Sequence, residues 1–194
     1  MERVVITGIS AISPIGNTLE EIMHSIETGR KGIGEIRNFD TSHFPSNLGA
    51  EVKKGEKVIQ WNSDIDRKEV FIKMAMEELF SKYKWVERYS PANRIMNLGT
   101  GLDYFDLPNY VNSGENKYSR WQKFSRSTYR IMEKLSSKYS ICGGFTVNVT
   151  ACVASAQSIG LSFRMLKRSG SRVIITGGFD SMLNHLHYMG FYKL

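Results

Sequence analysis

The segment "NVTACVASAQSIG" (148–160) sets one thiol, Cys152, where an apolar run gives way to small residues. A cysteine attacks carbon as its thiolate, and an ordinary thiol, with a pKa of ~8.5, is largely protonated at neutral pH. A helix N-terminus favours the anion, because its first amides lack intrahelical acceptors and the peptide dipoles leave partial positive charge there. Cys152 falls in the predicted first turn of a helix that follows "TVNVTA", so it is a candidate nucleophile. Its own N–H is then a candidate donor to the oxyanion formed when a thioester carbonyl is attacked. The other reading is a small core residue, since free cysteines are often buried. Spacing alone leaves both open. Cys142, in "YSICGGF", has no helix start behind it and reads as core packing. Arg164, Lys167 and Arg168 lie at the far end of the predicted helix, where positive charge suits the dipole and needs no catalytic role.

The elements that hold this turn alternate. "RVVITGISAIS" (3–13) opens with an apolar run of strand length, as in a buried strand of an α/β sheet. Thr18 with Glu21 forms a capping box, Leu19, Ile22, Met23 and Ile26 make a helical stripe, and Gly29 closes the helix. Residues 30–63 read mostly as loop, with a short strand at "GAEV" (49–52). Asp66 and Glu69 repeat the capping signal before a helical face of Ile72, Ala75, Met76 and Leu79. "RIMNLGTGL" (94–102) is a second central strand, and Phe124, Thr128, Ile131, Met132 and Leu135 mark a third helix. The loop from Asp103 to Ser119 is long and aromatic, of the kind that is usually functional. "GFTVNVT" (144–150) is a strand, Cys152 to about Arg168 a helix stopped by Gly170, and "RVIITGGFDSM" (172–182) another strand. This alternation predicts a layered α/β fold, and no linker composition divides it. Ala154, Ser155, Ala156, Ser158 and Gly160 leave the Cys152 helix slim enough to approach a neighbouring element closely.

Other functions find less in the sequence. Of 194 residues, 41% are hydrophobic and 23% charged, as in ordinary globular chains. The absence of a long apolar run or a secretory pattern predicts a cytoplasmic protein with no membrane span. His185 and His187, two apart, would share one face of a strand, but nothing nearby completes a metal set. No G-x-G-x-x-G follows "VVITG" or "TGG", and Pro14 sits where a phosphate turn needs N–H groups, so no cofactor is expected. The net charge of +7 is dispersed and carries no nucleic-acid motif; an acidic protein partner fits it better.

The run "NVTACVASAQSIGLSFRMLKRSGSRVIITGGFDSM" (148–182) resembles the active-site segment of the β-ketoacyl-acyl-carrier-protein synthases, the decarboxylating condensing enzymes of fatty-acid and polyketide synthesis. In that family a T-A-C motif opens a buried helix and a G-G motif ends the next strand. "RVVITGISAISPIGNTLEEIMHSIETGRKGIGEI" (3–36) is similar to the family's start and "GFYKL" to its middle, with residues 82–140 the loosest part. The resemblance implies a thiolase-like layered fold, of which residues 1–194 form the N-terminal domain: a mixed, mostly parallel sheet flanked by helices.

It also implies that Cys152 is the nucleophile that takes an acyl group from an acyl-carrier protein. Arg67 and Lys68 resemble carrier-docking positions; an exposed helix end is their plainer reading. Two histidines, a lysine and a second oxyanion donor come from the family's C-terminal half, and His185 and His187 do not match them. The expected function is therefore acyl transfer to Cys152, with Claisen condensation only beside a complementing chain. The alternative is a non-condensing, truncated partner subunit of a full-length synthase. Either way, half of a two-part sandwich should expose apolar surface and form a homodimer, or a heterodimer with a second condensing-enzyme chain.

Overall fold

A computed structural model describes residues 3–55, 57–59, 67–102, 104–105, 125–126, 128–169 and 172–193. The chain forms two compact units, Met1–Val5 with Trp85–Asp180 and Ile6–Lys84 with Ser181–Leu194. Asp66, Phe124, Gly170 and most of the loop from Asp103 to Ser119 lie outside the described residues.

The unit holding most of the N-terminal residues starts with α1 (Leu19–Glu27). Its N-cap is the expected one: Glu21 N donates to Thr18 Oγ1 at 3.1 Å, while Asn17 N donates to Glu21 Oε2 at 2.7 Å. The return arm of the capping box thus lands one residue early. Gly29, at φ +67°, ends the helix in the left-handed conformation that glycine adopts without cost to a side chain. The apolar stripe is only partly covered, since Leu19 and Ile22 are half-buried and Met23 and Ile26 exposed. Ser25 is the buried residue and donates to Ile15 O at 2.6 Å.

The described part of 30–63 is mostly loop, as expected, and the short strand expected at 49–52 overlaps β2 (Leu48–Ala50), which pairs antiparallel with β1 (Ile33–Glu35); a second antiparallel pair, β3 (Lys53–Lys54) with β4 (Lys57–Val58), was not expected. In α2 (Arg67–Lys82), Ile72 and Met76 are buried and Ala75 and Leu79 half-buried, following the helical period.

The other unit carries the parallel sheet. In chain order it runs β5 (Arg94–Thr100), a short antiparallel pair of β6 (Tyr104–Phe105) and β7 (Ser125–Arg126), α3 (Thr128–Lys138), β8 (Phe145–Val149), α4 (Ala154–Ser169) and β9 (Val173–Gly178). β8 and β9 both pair with β5 in parallel, giving the order β8-β5-β9. As the central strand, β5 is buried from Ile95 to Thr100. Strand alternation directs Thr146 and Asn148 toward α4, where they bond Asn97 and Ser158, and Phe145 toward the opposite face. There its ring meets Tyr129 of α3 at 5.0 Å. Helices therefore flank both faces of a parallel sheet, the expected architecture.

Two sequence expectations are corrected. The opening run "RVVITGISAIS" forms no strand: no ladder partner exists for it among the described residues, and Val5 and Ile6 are 62% and 81% exposed. Apolar character alone does not make a strand; its N–H and C=O groups must also find a neighbour. His185 and His187 lie on a helix, α5 (His185–Tyr192), not a strand. Asn184 caps it, accepting from His187 N at 3.0 Å, and the His185 ring packs against Phe44 at 5.0 Å. The pair is therefore not arranged as a shared strand face. Asn184 was the cap signal that the histidine spacing obscured.

Candidate active site

β8 ends at Val149, opposite the last residue of β5, Thr100, and Gly99 of β5 pairs with the last residue of β9, Gly178. The three strands thus finish along one edge of the sheet, the edge at which parallel α/β sheets bind ligands. Cys152 lies in the chain that leaves this edge.

The thiol is exposed and belongs to a 3₁₀ turn, Ala151–Val153, that precedes α4. Sequence periodicity had predicted a plain first α-turn. The difference arises at Ala151, whose φ is +50°, a left-handed value that a residue with a Cβ adopts only when its surroundings hold it there. Ala151 N donates to Gly101 O at 3.2 Å, Val153 N to Thr150 O at 3.3 Å, and the Thr150 hydroxyl to Gln157 Oε1 at 2.8 Å. Gly101 N in turn donates to Asp180 Oδ2 at 2.6 Å. The turn that carries the thiol is therefore fastened both to its own helix and to the ends of β5 and β9.

Small residues let α4 begin close to the sheet. A Cβ on Gly99 would strike the Ala154 carbonyl group and come within 2.8 Å of Ser155 N, and one on Gly178 would lie 2.7 Å from Ser155 Cβ. Ala154, Ser158 and Ser162, spaced four apart on one helical ridge, are buried. The expected slimness is used on that ridge and at Ser155, which lies against Gly178, while Ala156 is exposed and Gly160 half-buried.

The other residues singled out from the sequence lie elsewhere. Cys142 is exposed rather than packed in the core: Ile141 takes the interior position, while Cys142 N donates to Pro91 O at 2.9 Å. Arg67 and Lys68 open α2 but are only 4% and 1% accessible, and both are engaged within the structure. An exposed helix end offering two cations to a carrier is not what forms there. Folding also gathers Arg30, Lys31, Arg37 and Lys53, together with Glu35 and Glu51, around a cavity of about 110 Å³, a charged grouping that no local spacing signalled.

The profile of the family described as "Beta-ketoacyl synthase, N-terminal domain" matches residues 1–194. The 3-oxoacyl-[acyl-carrier-protein] synthase 2 of Synechocystis sp. is 28% identical over 204 residues, covering 98% of this chain and 48% of the relative. Among solved structures, the ishigamide ketosynthase/chain length factor superposes with a TM-score of 0.75 at 20% identity, covering 97% of this chain and 50% of that one. A type II polyketide-synthase acyl-carrier protein in complex with its ketosynthase, bound to the hexaketide, gives a TM-score of 0.69 at 18% identity, with 97% and 53% covered. The chain spans about half the length of the curated relatives it matches.

Proposed function

Because this chain belongs to the β-ketoacyl synthase N-terminal domain family, we propose that it accepts an acyl group from an acyl-carrier-protein thioester onto Cys152. What supports the reading is the setting of that thiol: exposed, on a constrained turn, where three parallel strands end. The Cys152 thiolate adds to the thioester carbonyl carbon, and the carbonyl electron pair moves to oxygen. On collapse the carrier's C–S bond breaks, the carrier thiolate leaves and takes up a proton from water, and the acyl group remains as a thioester on Cys152. The Cys152 N–H precedes the first hydrogen bond of the turn, that of Val153, and is the donor we assign to the oxyanion.

Condensation goes further: a malonyl unit loses carbon dioxide and its carbanion attacks the Cys152 thioester. In the family the groups that assist this step come from the other half. One positioned donor is worth ~10²–10³ in rate, so residues 1–194 alone are expected to acylate without condensing appreciably. In this reading they act as one domain in the cytoplasm, in fatty-acid or polyketide assembly, paired with another condensing-enzyme chain. No helix among the described residues is long and apolar enough to cross a membrane. The net charge of +7 suits an acidic carrier; docking is not assigned to Arg67 or Lys68, whose charges are buried.

A second reading, a non-condensing partner of a full-length synthase, is favoured by the exposed apolar side chains of Val153, Ile159 and Phe163 at and after the Cys152 turn. Intact-mass measurement after incubation with acyl-loaded carrier protein separates the two. An adduct of the acyl mass, abolished by Cys152→Ala, is expected. No adduct, or one that survives the substitution, refutes acyl transfer and leaves the partner reading.

A further inference from the structure

We infer that Asp180 is a positioning residue for Cys152, acting through the Gly101 peptide; this rests on the acyl-transfer reading above. Asp180 follows the end of β9 by two residues, and Phe179 N donates to Gly99 O at 3.0 Å, which carries the chain past the last strand pair toward the end of β5. There a single carboxylate oxygen, Asp180 Oδ2, accepts from Gly101 N at 2.6 Å and from Thr100 Oγ1 at 3.3 Å. The carbonyl of the same Gly101 accepts Ala151 N at 3.2 Å.

Ala151 holds the left-handed φ and is bonded directly to Cys152. A path of two hydrogen bonds thus joins a carboxylate just past the G-G strand to the residue that aims the thiol. Such a backbone state relaxes unless its surroundings over-determine it. Hydrogen bonds to an ionised acceptor are the stronger class, which suits Asp180 for fixing Gly101. The Thr150–Gln157 bond holds the other side of the turn but leaves Ala151 free to relax if Gly101 drifts.

Each of the two cysteines is exposed, so Cys142 serves as an internal reference. The test is the iodoacetamide alkylation rate at each thiol, read by peptide mass spectrometry, in the wild type, Asp180→Ala and Asp180→Asn. Loss of a charge-assisted bond predicts that Asp180→Ala slows Cys152 by about tenfold with Cys142 unchanged. Asp180→Asn, whose amide oxygen still accepts from Gly101 N, should return Cys152 to within about threefold of wild type. Acylation should follow, with the saturating rate reduced and the half-saturating carrier concentration unmoved.

A Cys152-to-Cys142 ratio within about twofold of wild type in Asp180→Ala overturns the inference, as does an Asp180→Asn variant no better than Asp180→Ala. Faster alkylation of both thiols together overturns it too, because Asp180 would then serve global folding. If wild-type protein shows no acyl adduct while Asp180→Ala still slows alkylation, acyl transfer fails and the positioning role stands.

Discussion

Asn97 interrupts the apolar run of β5, and three elements meet on its carboxamide. Fully buried in β5, it donates from Nδ2 to Ser162 Oγ of α4 at 3.0 Å and accepts at Oδ1 from Thr146 Oγ1 of β8 at 2.8 Å. Ser162 and Ser158 pass bonds back along α4 to Ser158 O and Ala154 O, and Asn148 donates to Ser158 Oγ at 2.8 Å. This polar seam ties the sheet interior to the helix that begins just after Cys152. Asn97→Ala takes the donor from the buried Ser162 hydroxyl oxygen, whereas the exposed Thr146 hydroxyl can turn to water, and a buried group left unmatched costs ~1–3 kcal/mol. Urea denaturation should show a loss of that order, and Asn97→Leu with Ser162→Ala, which removes both members of the buried pair, should recover much of it. Equal losses in the two variants would assign the energy to packing instead. None of this was legible beforehand, because "RIMNLGT" reads as a buried strand whatever its asparagine meets. The position of Cys152 at a strand-to-helix turn was legible, since an apolar run followed by small residues marks that change. The left-handed Ala151 was not, because alanine carries no preference for that conformation.

The start of α4 lies against β5 and β9 because two glycines leave room for it. Gly99 faces backbone atoms of Ala154 and Ser155, which cannot rotate away as a flexible side chain would. Gly99→Ala should therefore fall at the upper end of overpacking costs, ~1–3 kcal/mol, and lower the thermal midpoint by roughly 5–10 °C in a chain of this size. Gly34→Ala in β1 is the control: its added methyl meets nothing within 4 Å, so the midpoint should barely move. Similar shifts in both variants would show that glycine's backbone freedom, and not close approach, is at stake. The elements that sequence predicted well carry local signals of their own: the Thr18–Glu21 cap, the apolar core strand 94–100, and the helical spacing of Ile131, Met132 and Leu135, all buried. Those it missed depend on partners distant in sequence. β1 is three residues long and exists through pairing with β2, which overlaps the expected strand at 49–52, and among the described residues the opening run has no strand neighbour to complete it.

For the molecule as a whole, the informative feature is apolar surface that its own described residues leave uncovered. Ile159 and Phe163, one turn apart on α4, are 49% and 48% exposed, and Val149 and Val153 at the Cys152 turn are exposed as well. In the other unit Ile9, Met23 and Ile26 are open. Apolar exposure was legible from the resemblance to half of a layered sandwich; which residues carry it was not, because helical period gives a face but not what covers it. Soluble monomers rarely expose apolar patches beyond a few hundred Å², and the net charge of +7 opposes random clumping without hiding such side chains. Sedimentation velocity should therefore show concentration-dependent association. Ile159→Lys with Phe163→Glu should weaken it while leaving the thermal midpoint nearly unchanged, since each replaced side chain is already half in water. A concentration-independent monomer that unfolds cooperatively would mean this face needs no cover. Association untouched by the double substitution would move the contact off α4 to the open side chains of the other unit.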